Sequence, residues 1–527
     1  MQAVILAGGK GTRLADRSGG KPKPLVNVDS IPLLQRQIET LRDNGVGSIV
    51  LLVNYKADQI RDFCSDNNDF GISITIIDDG APRGTAGALL ACLDELEARF
   101  LVVYGDTLFD IDIRRMIASH EATGADVTLL VHPNDHPADS DLVAIDDNSR
   151  IIAFHPYPHD DDAVLPNLVN AAFYITESAA LEPWRAFEIP ADLAKNLFPA
   201  MIERGQYLSA YRSFEYIKDL GTPKRLDKAE GHLRAGRPAR ARLDVPQACI
   251  FVDRDGTLNQ LRGHLSRAEG LDLLPGAATA VRRLNDAEFR VAVVTNQPVL
   301  ARGECTRQEL TRIHWKLETL LGQEGAFVDG IWYCPHHPDS GFPGEVAELK
   351  RPCTCRKPAP GLVLEAAKQL NCDFARSWMI GDTTSDMLAG REVGLGTILV
   401  RTGEAGNDGK YHCPPDFIAA DLAEAVELIV EEIPRWAAAV EADIASISPG
   451  ETLFVKGADH RDGTGLAATL ALLLRRHGIR AGTGEQGALN DDGFVLVISD
   501  PDLMASMERE GRAVRRIAID HKAFSVG

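Results

Sequence analysis

Residues 250–259, IFVDRDGTLN, constrain this chain more than any other stretch. An apolar run ends in two carboxylates one residue apart, Asp253 and Asp255, followed at once by Gly256 and Thr257. The pattern suits a buried strand that delivers both acids to its exposed carboxyl end, where open α/β sheets build their sites. Acids this close raise one another's pKa. The arrangement is therefore easiest to sustain with a divalent cation and separate roles for the two acids.

A chain of 527 residues is too long for one core, and three domains are expected: 1–237, a linker at 238–247, 248–430, and 431–527. No apolar run approaches the roughly eighteen residues of a membrane span. The opening MQAVILAGGKGTRL is too short in its apolar part for a secretory leader, so it predicts a domain start and a soluble, cytoplasmic protein. A net charge of −20 argues against nucleic-acid or membrane-surface partners and leaves room for local basic pockets that take small phosphorylated substrates. Association into a homo-oligomer is compatible with all of this. Nine cysteines, clustered in one place only, point to reduced thiols and a metal site rather than a disulfide framework.

The first segment opens on a strand, AVILAG, that runs into Gly8, Gly9, Lys10, Gly11, Thr12 and Arg13. Glycines let the backbone approach a triphosphate closely, and Lys10, Arg13 and Lys23 can neutralise it. LAGGKGTRL is followed by KPKPLVNV, then by PRGTAGAL at 82–89, VVYGDTLF at 102–109 and YIKDLGTPKRL at 216–226. In this order the motifs resemble the sugar-phosphate nucleotidyltransferases, which join a sugar 1-phosphate to a nucleoside triphosphate and release pyrophosphate. The resemblance implies a Rossmann-like α/β domain in which Arg13 grips the triphosphate, Lys23 contacts phosphate at the reacting centre, and Asp106 with Asp219 holds Mg²⁺. It further implies that Gly84 and Thr85 line the nucleobase pocket, that Asp79 reads the base edge, and that Asn170 and Lys195 touch the sugar and its phosphate. Two residues depart from the pattern: Asp16 stands where proline is usual, and Ala172 stands where glycine is frequent, which is expected to narrow the sugar pocket.

The stretch RAGRPARARLDVPQ lacks helical or strand periodicity and reads as a linker. After it come IFVDRDGTLN, RVAVVTNQ at 290–297, CRKPAPG at 355–361 and WMIGDTTSDMLAG at 378–390, with strand and helix alternating between them. That order predicts a doubly wound parallel sheet with the four polar clusters along one edge. Between them, Cys334 with His336 and Cys353 with Cys355 form two short-spaced pairs suited to a closed tetrahedral Zn²⁺ site that fixes a long loop and orients Arg356 beside Lys357. His337 is expected to be a bystander. The four motifs resemble the haloacid-dehalogenase-like (HAD-like) phosphatases. The resemblance implies Asp253 as nucleophile, Asp255 as acid and base, and Thr295 and Lys357 as the phosphoryl clamp. It assigns Asp382 with Asp253 and Asp255 to Mg²⁺, Asp386 to the support of that site, and Asn296, Arg302 and Arg356 to substrate. Within that class, ARGECTRQEL, DGIWYCPHHP and CRKPAPGL resemble the heptose-bisphosphate phosphatases more than the histidinol-phosphate phosphatases, although Pro298 and Val299 replace the Ser and Gly common there.

In the last segment, DLAEAVELIVEEIPRWAAAVEADIAS predicts a helix interrupted at Pro434. Strands are expected in ETLFVKG, GFVLVISD and RRIAID. The glycine loop resembles the start of a P-loop kinase, but Gly457 and Gly463 stand one residue too far apart and no lysine precedes Thr464, so a degenerate or structural α/β module is expected. Taken together, the motifs predict a bifunctional enzyme that uses Mg²⁺ and Zn²⁺. It would remove a phosphate from a heptose bisphosphate and transfer a nucleotidyl group, GMP in particular, to the heptose 1-phosphate. The alternatives are other substrates on the same folds, such as a hexose 1-phosphate and a different phosphomonoester, or a scaffold or sensor with inactive domains.

Overall fold

Strand Gln2–Leu6 sits at the centre of a nine-stranded sheet because its residues are apolar on both faces. In the computed structural model, which describes residues 1–9, 14, 17, 19–80, 82–160, 162–341 and 343–435 and the backbone of three later strands, the chain divides into two compact units, Met1–Val245 and Pro246–Gly527. In the first unit, Ser48–Val53 and Arg99–Tyr104 flank the central strand in parallel. Ser73–Asp78 extends the parallel part, and Val169–Glu177 runs antiparallel to Arg99–Tyr104. Alternate side chains feed two cores: Ala3, Ile5, Leu51 and Val103 on one side, Val4, Val50, Leu52 and Val102 on the other. A fully buried side chain of this kind contributes about 1.5–3 kcal/mol, enough in sum to hold the polar loops that leave the sheet's carboxyl edge.

Strand Val169–Glu177 shifts register against Val127–His132 between Asn170 and Tyr174, and Ala172 there takes φ +54°. A left-handed backbone costs an L-residue about 1–2 kcal/mol, which gives a physical reason for glycine in this position and makes the alanine a point of local strain. The stretch read as a linker is partly ordered against the first unit. Arg237–Arg240 forms a helical turn entered through Gly236 and Pro238, Arg242 Nε donates to Asp110 at 2.8 Å, and the Leu243 amide donates to Glu215 at 3.2 Å. Proline in the first turn starts a helix without any apolar periodicity, so the composition concealed it.

The second unit is built on six parallel strands in the order Gly330–Cys334, Arg290–Asn296, Cys249–Val252, Trp378–Gly381, Gly396–Val400 and Phe417–Ala419. The order reverses direction at Cys249–Val252, which opens a crevice beyond its carboxyl end. Leu422, Ala425, Val426, Ile429 and Ile433 join this unit's core, so the helical stretch before Pro434 belongs with the sheet rather than with the last segment. Thr452–Lys456, Leu496–Ile498 and Val514–Ala518 form a separate three-stranded parallel sheet at the expected positions. Gly457, Gly463 and Thr464, on which the P-loop resemblance turned, lie outside the described residues. Among the described residues no helix is long and apolar enough to cross a membrane.

Candidate active sites

In the second unit, Asp253 leaves strand Cys249–Val252 with its amide bonded to Ile380 O at 2.9 Å, next to the strand that carries Asp382. Gly256 explains the glycine of the motif: its φ is +85°, and a Cβ there would lie 2.2 Å from Asp382 Oδ2. Asp386 caps helix Thr384–Glu392, accepting from the Thr383 hydroxyl at 2.7 Å through Oδ2. Its Oδ1 faces Lys357 Nζ at 2.6 Å, and Asp253 Oδ1 faces the same ammonium at 2.7 Å. Lys357 also donates to Val294 O at 2.7 Å. The fold thus brings Asp253, Lys357 and the pair Asp382 and Asp386 together from three separate segments of the sequence.

Burial pushes Asp253 up to about 6, with Asp386 and Asp255 adding to it and Lys357 opposing. Asp382 is driven to about 8 by burial and by Asp253 and Asp386 beside it. Burial works against the Lys357 ammonium as well, but Asp253 and Asp386 outweigh it and hold it charged. With all three carboxyls ionised against one ammonium the group would carry two net negative charges, and the buried Asp382 Oδ1 has no hydrogen-bond partner. A divalent cation fits that deficit. Asp255 differs from expectation because its carboxylate stands outside this group. It is enclosed by Arg254, Asn259 and Gln297, whose charge and hydrogen bonds outweigh the effect of burial and hold its pKa below the ordinary value. Its side chain therefore stands apart from the carboxylates that fit a cation.

Asn296 is also engaged differently. Its amide oxygen accepts from the Lys357 amide at 3.0 Å and its nitrogen donates to Lys357 O at 3.1 Å, so it fastens the lysine loop instead of reaching for substrate. Thr295 is buried with its hydroxyl accepting from Gln297 at 2.9 Å. Arg302 Nη1 lies 3.3 Å from His264 Nδ1, and Arg356 donates to His336 O at 3.3 Å. Pro298 takes the first turn of a short helix, Pro298–Ala301, where its missing N–H is not needed, and Val299 packs in the core. Sequence reasoning missed Arg254, Asn259 and Gln297. The available signal was a charged residue between two motif acids, which needs a partner when the strand end is buried.

Cys334, His336, Cys353 and Cys355 converge. Cys334 Sγ lies 3.6 Å from Cys353 Sγ and 3.3 Å from Cys355 Sγ, and His336 Nδ1 lies 3.3 Å from Cys355 Sγ. Zn–S bonds of about 2.3 Å imply sulfur separations of about 3.8 Å in a tetrahedron, so the group is close to a closed zinc site. His337 stays apart, with its Nδ1 accepting from the Asp339 amide at 3.2 Å.

In the first unit a cleft of about 420 Å³ opens at the sheet's carboxyl edge, lined by Gly8, Gly9, Lys23, Asp79, Gly84, Thr85 and Asp106 among others. Gly84 has φ +73°, and a Cβ there would lie 2.2 Å from Ala191 O. Lys23 Nζ stands 2.5 Å from Asp106 Oδ2. Asp219 is brought beside Asp106 because Tyr216–Asp219 pairs antiparallel with Thr107–Asp110 and the Leu220 amide donates to Asp106 O at 2.9 Å; Arg225 pairs with its carboxylate. Asn54 donates to Asp79 Oδ1 at 2.7 Å. The Thr85 hydroxyl is saturated within the protein, donating to Asp192 at 2.8 Å and accepting from Leu193 N and Tyr104, so only its backbone remains for a base. Asn170 and Lys195 do not line this cleft; they bond Tyr174 and Tyr157 O at 3.0 and 3.2 Å. Arg83, Asn54 and Tyr104 line it without having been anticipated. Lys10, Gly11, Thr12, Arg13 and Asp16 lie outside the described residues.

Comparison with known proteins gives matches in both units. The nucleotidyl transferase family profile covers residues 2–235, and the HAD-hydrolase-like profile covers residues 354–425. The D-glycero-beta-D-manno-heptose-1,7-bisphosphate 7-phosphatase of Yersinia pestis is 41% identical over 156 residues, 29% of this chain and 81% of that protein. The D-glycero-D-manno-heptose-1,7-bisphosphate 7-phosphatase of Thermosynechococcus vestitus is 40% identical over 199 residues, 36% of this chain and all of that protein's length (100%). Among solved structures, HddC from Yersinia pseudotuberculosis is 27% identical, with 44% of this chain and 99% of that one covered and a TM-score of 0.39. The chain thus belongs, through its second unit, to the family of the D-glycero-D-manno-heptose-1,7-bisphosphate 7-phosphatases, and with the nucleotidyl transferase domain of its first unit it is an enzyme of two activities.

Proposed function

We propose that the two sites catalyse consecutive steps: removal of the 7-phosphate from a D-glycero-D-manno-heptose 1,7-bisphosphate, then transfer of GMP from GTP to the remaining 1-phosphate, giving GDP-heptose and pyrophosphate. The observation that carries this reading is that a chain 41% identical over 156 residues to a heptose-bisphosphate phosphatase also contains a nucleotidyl transferase domain. The product of the first reaction is the kind of substrate the second requires.

In the phosphatase site the Asp253 carboxylate attacks phosphorus while the ester P–O bond breaks and the departing oxygen takes a proton from Asp255. Asp255 then removes a proton from water, whose oxygen attacks the aspartyl-phosphate and frees inorganic phosphate. Lys357 and the Thr295 hydroxyl hold the transferring group. Asp253 and Asp382 would bind Mg²⁺, which supplies charge neutralisation at phosphorus, with Asp386 fixing Lys357 against them. In the transferase site Lys23 neutralises phosphate at the reacting centre. Asp106 and Asp219, each already matched by a cation, would take up Mg²⁺ together with the charge the triphosphate brings. For the base, Asp79 offers carboxylate oxygens to the N1 and N2 donors of guanine, which adenine lacks. Nine free cysteines suit the reducing cytoplasm, where the nucleoside triphosphate is available.

Incubation with the α- and β-bisphosphates and each common nucleoside triphosphate tests the reading. We expect phosphate and pyrophosphate release with the α-anomer and GTP. Preference for ATP or UTP would overturn guanine, and no reaction with heptose phosphates would overturn the sugar.

Zinc is the second metal of this reading. The purified protein is expected to contain about one zinc per chain, held by Cys334, His336, Cys353 and Cys355. In Cys353→Ser with Cys355→Ser that zinc should be lost and the phosphatase should melt early, because binding energy at a structural site is folding energy. Metal analysis that finds no zinc in the parent protein would refute the assignment.

A further inference from the structure

We infer that Gln297 is a positioning residue that aims Asp255 and Thr295 together, through a polar chain anchored on the buried Arg254. The inference rests on the phosphatase reading and adds to it a residue with no role in the motif chemistry. Arg254 is fully buried, at 0% exposure. Its Nη2 donates to both Asp255 oxygens, at 3.0 and 2.7 Å, and to Gln297 Oε1 at 3.0 Å. A guanidinium has donors only, so the Gln297 atom that faces it must be the oxygen. The Gln297 nitrogen is thereby turned the other way, where it donates to Asp255 Oδ2 and to Thr295 Oγ1, each at 2.9 Å.

Both contacts have consequences for the reaction. Asp255 is gripped from both of its oxygens, since Asn259 donates to Oδ1 at 3.0 Å while Gln297 holds Oδ2. Its carboxyl plane is set before substrate arrives, as preorganised proton transfer requires. Thr295 Oγ1 accepts a hydrogen bond from Gln297, so its own hydrogen is directed elsewhere, free to donate to a phosphoryl oxygen. Gln297 directly succeeds strand Arg290–Asn296, and its amide donates to Cys334 O at 2.8 Å, so the side chain starts from a rigid sheet position. Its exposure of 2% means that these partners, rather than water, determine its orientation.

The test compares two esters on the full chain. An alkyl phosphate such as the sugar ester needs its leaving oxygen protonated, whereas p-nitrophenyl phosphate expels a stable phenolate that does not. The ratio kcat/KM reports the step up to departure of the leaving group and is independent of the later attack by water. For Gln297→Leu we expect kcat/KM to fall about 10²-fold on the alkyl ester, which depends on both Asp255 and Thr295, and only about tenfold on p-nitrophenyl phosphate, which depends on Thr295 alone. Gln297→Glu is isosteric, keeps an oxygen for Arg254 and lacks the N–H; it should give the same selective loss, and it carries the test if the leucine variant melts early. An equal loss on both esters, or no loss on either, would overturn the inference. Failure of the unsubstituted chain to release phosphate from any ester would instead count against the phosphatase reading itself.

Discussion

Asp253→Asn should reduce phosphate release by at least about 10⁴-fold while pyrophosphate release continues at nearly the parental rate. An amide cannot attack phosphorus, and no other described carboxylate can take over: Asp386 is fixed by its helix cap and Lys357, and Asp255 is enclosed by Arg254, Asn259 and Gln297. The loss should not come from unfolding. A carboxyl whose pKa is raised from 3.8 to about 6 on folding destabilises the metal-free protein above that range, since the buried anion is disfavoured. The neutral amide removes that penalty, so the metal-free variant should melt no lower than its parent at neutral pH. Its relative advantage should shrink as pH falls from about 6 towards 3.8, where the parent's carboxyl is protonated in both states. Parallel assays of phosphate and pyrophosphate, with a melting curve in chelator, check all three statements. Equal loss of both activities would refute separate sites.

Lys23→Ala should have the converse effect, lowering pyrophosphate release by about 10²–10³-fold and leaving phosphate release intact. Lys23 Nζ lies 2.5 Å from Asp106 Oδ2 on the wall of the cleft. Removing it withdraws a positive charge from the incoming triphosphate and leaves the Asp106 carboxylate facing it uncompensated. Both effects oppose binding of the polyanion, so KM for the triphosphate should rise as kcat falls. A variant that transfers nucleotide normally would show that Lys23 serves only to pair with Asp106.

Much of this could be read from the chain because its chemistry is written in contiguous motifs. Asp253 and Asp255 at the end of an apolar strand, Lys357 after the paired cysteines, and the glycines after Gln2–Leu6 are local signals, and local spacing settles which sheet edge they reach. Less could be read where a side chain's partner comes from elsewhere in the fold. Asn296 and Thr85 look available for substrate in one dimension, yet Lys357 engages the amide of one and Asp192, Leu193 and Tyr104 saturate the hydroxyl of the other.

The sequence by itself determined the strand-to-loop junctions, the acid, lysine and cysteine clusters, and the presence of two chemistries, because burial patterns and ligand spacings are properties of short segments. Tertiary structure alone decided how each polar atom is used. It separated Asp255 from the carboxylates that fit a cation, turned Gln297 towards both Asp255 and Thr295, and folded the stretch before Val245 onto the first unit. The physical reason is that a buried donor or acceptor must find a partner or lose about 1–3 kcal/mol, and those partners come from strands and loops far away in the chain.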